Sequence, residues 1–523
     1  MSSPLLALRR HATTSGDRVA MVCGEQRQTY RELHDRAQQL VHGLRALGLS
    51  KGDRVALLVD NGPACLEQIV GLALGGFVRT GLYTHDAPER QRYLLELTGA
   101  AALVVDSHHY ESLESMLGDC PDLRHVIVVG DSRPAAGALE TARVHSYDAT
   151  VHGASTEPVE IDVRPEELHQ VRFSAGTTGL PKGIVHDLAG WLAVGEGTVA
   201  ALETPVTSAD CYLAAGPLTH AASMLIWPVL DAGGSIVVLP AFDVRHFLAA
   251  VEEQGVTMTL LVPTMVQLIL DNPESRRRDL SSLRAVFYGA SPMPESALVA
   301  ALELWGNVMY QLYGQSEAVP ATALTPAHHV VDGTAAERAR LRSAGKPVGG
   351  SAVRILDEDD EEVPPGTVGE VVVRTAGRML ELWNDPEATR ARLTEDGWVR
   401  TRDMGWLDEE GFLFLADRKE DMIISGGFNI WPAELENALT THPAVRAAAV
   451  VGVPHPRWGE TPHAVVVLAE GEAADVTEEA LIEWTRSTVG SVKKVTRVSF
   501  VDELPTTPVG KVLRRVVREN LRA

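Results

Sequence analysis

At 523 residues, with 45% apolar and 22% charged side chains, the chain is globular in composition and long enough for about three to four compact units. Its formal net charge of −23 leaves no basic surplus to displace counterions from nucleic acid or to hold an anionic membrane surface. An anionic ligand must therefore be met by local donors.

In chain order, Thr29-Tyr-Arg-Glu32 reads as a capping box, followed by Leu33, Ala37, Leu40, Val41, Leu44 and Leu47 at helical spacing and by a stop at Gly48. Residues 54–59 read as a short buried strand and 63–74 as a helix. Strands are expected at 102–105, 125–129, 235–239, 257–262 and 284–288, alternating with helices, which implies parallel sheets covered by helices. After about residue 345, acidic turn-rich stretches separate short β runs such as 370–374, as in an antiparallel subdomain. From about residue 417 a compact tail follows: a helix after Pro432, a strand pair at 447–453 and 463–468, a helix capped by Thr477, and a last segment expected to be loop. The four cysteines, Cys23, Cys65, Cys120 and Cys211, share no CxxC spacing and read as free thiols. Residues 5–8 form only a short apolar patch ahead of Arg9 and Arg10, unlike a signal peptide, and the apolar run near 69–78 is too short to span a bilayer. The expectation is a soluble cytoplasmic protein.

The most informative stretch is Phe173-Ser-Ala-Gly-Thr-Thr-Gly-Leu-Pro-Lys182-Gly183. Hydroxyls and backbone N–H groups of such a loop can close around phosphate oxygens, with Lys182 adding a point charge at its end. The Walker A spacing is absent. Further along stand Tyr313-Gly-Gln-Ser-Glu317, Trp398-Val-Arg-Thr-Arg-Asp403, the hinge-like RKEDMIISGGFNIWPAELE of residues 418–436, and PTTPVGK of residues 505–511. A loop that gathers phosphate oxygens needs positive charge close to them. Asp403 suits two vicinal hydroxyls, and Tyr313 suits stacking on a base.

These five segments, in this order and over nearly the whole chain, resemble the ANL superfamily of adenylate-forming enzymes, which includes acyl- and aryl-CoA synthetases. The resemblance implies an α/β fold: a large domain of helix-flanked sheets at residues 1–417, its β-rich part at about 345–417, and a small mobile α+β domain at 418–523. It implies ATP, Mg²⁺ and CoA, with Ser174, Gly176, Thr177, Thr178 and Gly179 around the phosphates beside Lys182. Gly289 and Ala290 would lie under the adenine, with Tyr313 and Gly314 alongside. Ser316 would contact phosphate, Glu317 would hold Mg²⁺, and Asp403 would bind the ribose near Arg418. Glu420 would be the pivot, Lys511 the catalytic lysine of adenylation, and Gly426 and Gly427 the bare backbone along which pantetheine passes. Trp458 resembles the aromatic near the CoA nucleotide, and His220, Ala221 and Tyr288 would border the acyl pocket. Small and aromatic residues there suit a modest aromatic, alicyclic or medium-length acid.

Arg402 stands where the family usually has glycine, Glu420 where Asp or Lys is commoner, and Ser316 for the commoner Thr. The expected reaction is acyl-adenylate formation followed by thioester formation with CoA; transfer to a carrier protein or a non-thiol acceptor is the alternative. An inactive scaffold is disfavoured, because Lys182, Glu317, Asp403, Arg418 and Lys511 are all present. The pairs His108-His109 and His328-His329 lack ligand spacing and read as surface. The glycines Gly195 and Gly197 fall inside a helix rather than after a strand, against a dinucleotide fingerprint.

Overall fold

Local chemistry starts the first long helix. The Glu32 backbone N–H donates to Thr29 Oγ1 at 3.2 Å, and the Thr29 N–H donates to the Glu32 carboxylate at 2.8 Å. Two otherwise orphaned donors are thereby satisfied. Tyr30–Ala46 then buries Leu33, Ala37, Leu40, Val41 and Leu44 along one stripe. Strand Arg54–Leu58 and helix Pro63–Leu74 follow, the latter with proline in its first turn, where no N–H is needed. The structure is a computed structural model that describes residues 4–130, 142–173, 181–418, 421–425, 428–469, 476–491, 493–506 and 512–521.

This alternation builds two large sheets. In the nine-stranded sheet, Val19–Cys23, Ser235–Val238, Cys211–Ala214, Met258–Leu261, Ala285–Gly289 and Met309–Gln315 run parallel. In the eight-stranded sheet, Leu168–Phe173, Val78–Gly81, Arg54–Leu58, Ala102–Asp106, His125–Val129 and Arg143–Ser146 do the same, with antiparallel Gly183–Asp187 beside Leu168–Phe173. One apolar core holds residues of both sheets together, among them Val55, Leu57, Trp191, Tyr212, Ala214 and Trp227. Gly195 and Gly197 lie inside helix Leu188–Val199, as the sequence suggested. Among the described residues no helix is long and apolar enough to cross a membrane.

The β-rich part is a four-stranded antiparallel sheet of Ala352–Leu356, Gly369–Arg374, Val399–Leu407 and Leu413–Arg418. It is less continuous than expected. Lys346–Pro347 extends the nine-stranded sheet and Glu381–Leu382 returns to edge the eight-stranded one, so the subdomain is laced into the rest. The C-terminal unit pairs Val445–His455 with Gly459–Leu468 over a core of Ile423, Ile430, Leu435, Leu439, Val450, Val466 and Leu481. The final segment corrects the expectation of a loop. Arg514–Asn520 is a helix, because Val517 is buried with Ala449, Val451 and Val465, an anchor in a short Val-Val pair flanked by arginines.

Candidate active site

In parallel α/β sheets, ligand-binding loops follow the carboxyl ends of strands, and the candidate residues fall there. Met309–Gln315 turns directly into antiparallel Ala318–Leu324, leaving Ser316 and Glu317 as the two-residue tip. Gly314 is needed behind the tip, since a Cβ there would sit 2.8 Å from the Ala318 carbonyl oxygen. His186 donates from Nε2 to the Ser316 carbonyl at 2.9 Å and steadies the turn.

One polar network joins the hairpin to the ribose acid of the resemblance. Tyr313 Oη and Gln315 Nε2 both donate to Asp403 Oδ2 at 2.7 Å. Arg392 donates to Gln315 Oε1 at 3.0 Å and lies 3.2 Å from Glu317 Oε1. The structure thus brings Tyr313, Glu317 and Asp403 together, with the Tyr313 hydroxyl committed to Asp403. Gln315 and Arg392 were missed, because their partners lie 77 to 88 residues apart in sequence. Glu317 is buried and offers one hard carboxylate, which fits a cation that takes one or two carboxylates plus phosphate oxygens.

Lys182, just past the phosphate loop, donates to Asp385 Oδ2 at 2.8 Å. Asp385 in turn caps helix Pro386–Arg392 by accepting from the Ala388 N–H at 2.9 Å. One short helix therefore holds Lys182 at its start and Glu317 at its end. The signal was present as an Asp-Pro cap with Arg392 seven positions on. The pair with Lys182, then the bond from Ala388, keep the Asp385 carboxyl below its usual range.

His220 lies with its ring 3.9 Å from that of Tyr83, and Thr219 Oγ1 is 2.8 Å from its Nδ1. Burial first, then Arg172 and Arg79, pull its pKa down to about 3, so the ring is neutral. Ala221 begins the short helix Ala221–Leu225 beside it. Tyr288 departs from the expected pocket wall: it is 1% exposed, packed in the core with Val266, Val286 and Leu298, and bonded through Oη to His329 Nε2 at 2.9 Å. His329 is accordingly buried rather than at the surface, whereas His108 and His109 lie against Asp60 at 3.1 and 3.3 Å. The backbone after Tyr288 is what reaches the strand end. A Cβ on Gly289 would lie 2.3 Å from the Leu312 carbonyl oxygen, and Ala290 adopts φ 68°. Such left-handed backbone costs about 1–2 kcal/mol and collects at functional sites. Arg402 shares it at φ 61°, which explains why glycine suits that position.

In the C-terminal unit, Trp458 is 43% exposed and stacks on His455 with ring centroids 4.4 Å apart, an outward platform rather than a core tryptophan. Arg418 pairs its backbone with Asp403 across the sheet. Ser174, Gly176, Thr177, Thr178, Gly179, Glu420, Gly426, Gly427 and Lys511 lie outside the described residues. The flanks of two of these segments are tied together. Arg514 bridges Asp421 at 3.3 Å and Glu436 at 2.7 Å.

Fold and site together define an adenylate-forming ligase. Residues 8–383 match the family of AMP-binding enzymes and residues 434–511 its C-terminal domain, and the chain belongs to that family, within the ANL superfamily. A feruloyl-CoA synthase of Amycolatopsis is 37% identical over 97% of each chain. A fatty acid–[acyl-carrier-protein] ligase, ScoC of Streptomyces coeruleorubidus, is 32% identical over 97% of this chain and 94% of its own. The solved amide bond synthetase McbA of Marinactinospora thermotolerans superposes with a TM-score of 0.86 at 32% identity, covering 99% of each chain.

Proposed function

We propose that this enzyme converts a carboxylic acid and ATP into acyl-AMP and pyrophosphate, then transfers the acyl group to the thiol of CoA. The observation that carries the first step is the network from Tyr313 and Asp403 through Gln315 and Arg392 to Glu317. It links the carboxylates of Asp403 and Glu317 across two sheets, which supports reading one as the acid that binds hydroxyls and the other as the acid that binds a metal. A carboxylate oxygen bonds to the α-phosphorus as the α–β anhydride breaks. Asp403 fixes the ribose. Lys182 exchanges Asp385 for phosphate, an easy trade because exposed pairs are worth little. Glu317 would hold Mg²⁺, whose charge offsets that on the phosphates, and Lys511 would supply the matching ammonium. In the second step the thiol sulfur attacks the carbonyl carbon, AMP leaves, and the thiol proton passes to solvent.

For the acceptor, the stacked and exposed Trp458 and His455 favour a nucleotide-bearing thiol, since a base can lie on such a platform. Similarity to an amide bond synthetase and a carrier-protein ligase supports the second reading, an amine or carrier-protein acceptor. Pyrophosphate release over a panel of acids, with and without CoA, separates them. Thioester should form with CoA, and Trp458→Ala should raise KM for CoA about tenfold through loss of stacking. Release without thioester would hand the reaction to the other acceptors. The free thiols of Cys23, Cys65, Cys120 and Cys211 agree with a cytoplasmic setting.

A further inference from the structure

The face of the eight-stranded sheet that meets Trp191 carries two arginines. Arg79, Gln170 and His186 lie side by side across three neighbouring strands, and Arg172 is two residues further along the strand of Gln170. Both guanidinium groups stand over the Trp191 ring, Arg172 at 5.2 Å and Arg79 at 5.9 Å from its centroid. Arg79 donates from one nitrogen to Gln170 Oε1, while its Nη1, Gln170 Nε2 and His186 Nδ1 are buried without a hydrogen-bond partner. Among the described residues no carboxylate pairs with either arginine, and no acceptor engages the Arg172 side chain. Burial pulls the pKa of both down, Arg79 to about 10, and the charge of Arg172 reaches His220 and His186.

Two like charges in a shared, poorly hydrated enclosure are costly unless an anion joins them. Among the described residues Glu317 is the negative charge that reaches Arg172, and it is already shared with Arg392, while His169, His186 and His220 are held neutral. The enclosure borders the acyl side of the site. Tyr83 donates to the Phe173 carbonyl at 3.0 Å and packs on His220, and the Thr219 backbone abuts Gly81. The phosphate-side cation, Lys182, is engaged elsewhere by Asp385.

We propose that Arg172, backed by Arg79 and stacked on Trp191, is an anion subsite on the His220 side of the candidate site, and that the substrate is an acid bearing a second carboxylate. The inference rests on the adenylation reading and names its substrate class. Guanidinium recognises carboxylate through paired N–H donors, and the aromatic face leaves that donor edge free to do so.

The test uses the full-length enzyme and matched acid pairs, each skeleton with one carboxylate and with two. The diacid should exceed its monoacid in kcat/KM by about 100-fold, and Arg172→Met should collapse that ratio to about one, with Arg172→Lys between. A wild-type preference for monoacids, or an equal loss for both acids in Arg172→Met, would overturn the subsite. Thermal melting reads binding without turnover. A diacid should raise the Tm of the wild type and not of Arg172→Met, and the ligand-free variant should melt no lower than the wild type, since an uncompensated charge has been removed. A ligand-free Tm well below wild type would instead make Arg172 structural. If no acid releases pyrophosphate yet the diacid stabilises only the wild type, the subsite stands and the adenylation reading falls.

Discussion

In the large unit, Tyr313, Gln315, Glu317, Asp403 and Arg392 hold one another through contacts of 2.7 to 3.2 Å within the fold. In the small unit, Ile424, Phe428 and Trp458, which flank Gly426–Gly427 or follow them, are 52%, 56% and 43% exposed. The first arrangement is preorganised and needs only a ligand. The second leaves apolar side chains exposed to water, as faces that meet a partner surface do. Fixed polar geometry and an exposed apolar face are thus divided between the two units.

Four measurements can break or sharpen that division. The largest effect is expected from Lys511→Ala, which should lower adenylation about 1,000-fold while thioester formation from supplied acyl-AMP stays within about threefold. Equal loss in both half-reactions would remove the separation of roles. Acid stability comes next. Free histidine titrates near 6.5, but burial, with neighbouring charges second, holds His169 and His220 at about 3 and His186 and His329 at about 4. Between those values the unfolded chain binds protons that the folded chain does not. Stability is therefore intact above pH 6.5 and falls below it, by up to ~1.4 kcal/mol per pH unit for each group. All four lie in the large unit, so its urea midpoint should drop between pH 7 and pH 5; a constant midpoint would refute the burial argument. Arg514→Ala removes the guanidinium shared by Asp421 and Glu436, leaving Asp421 with Arg518 at 3.9 Å and Glu436 with the Val450 N–H, and should destabilise the small unit by about 1–3 kcal/mol in urea, with adenine-nucleotide binding to the large unit retained. Smallest is Arg402→Gly, which relieves φ 61° and should raise stability by about 0.5–1 kcal/mol. A loss would mean that the arginine side chain contributes more than its backbone costs.

Legibility followed the range of the interaction. The Thr29–Glu32 box and helix Pro63–Leu74 were readable because their determinants lie within a turn or two. Glu317 and Asp403 were readable as motif positions, but not the Gln315 side chain that joins them or the Arg392 that neutralises Glu317, since sequence does not encode which distant strands meet. Tyr288, expected to border the acyl pocket, and His329, expected at the surface, escaped for the same reason: their mutual bond lies between distant segments and both are buried. The closing helix Arg514–Asn520 escaped because its apolar content is only the pair Val516-Val517 between arginines, too short to show a helical stripe.

Helix Pro386–Arg392 has a consequence for how nucleotide arrives. In the free enzyme its cap, Asp385, occupies Lys182, and its last residue, Arg392, occupies Glu317. Each of the two charges proposed to meet ATP and its metal is matched by a charge of opposite sign on one seven-residue helix. On the proposed reading, an incoming triphosphate with its cation would swap partners instead of adding uncompensated charge, releasing an acid at one end and a base at the other. The helix is a resident counterfeit of the ligand, and entry becomes a double displacement whose electrostatic balance is nearly the same before and after.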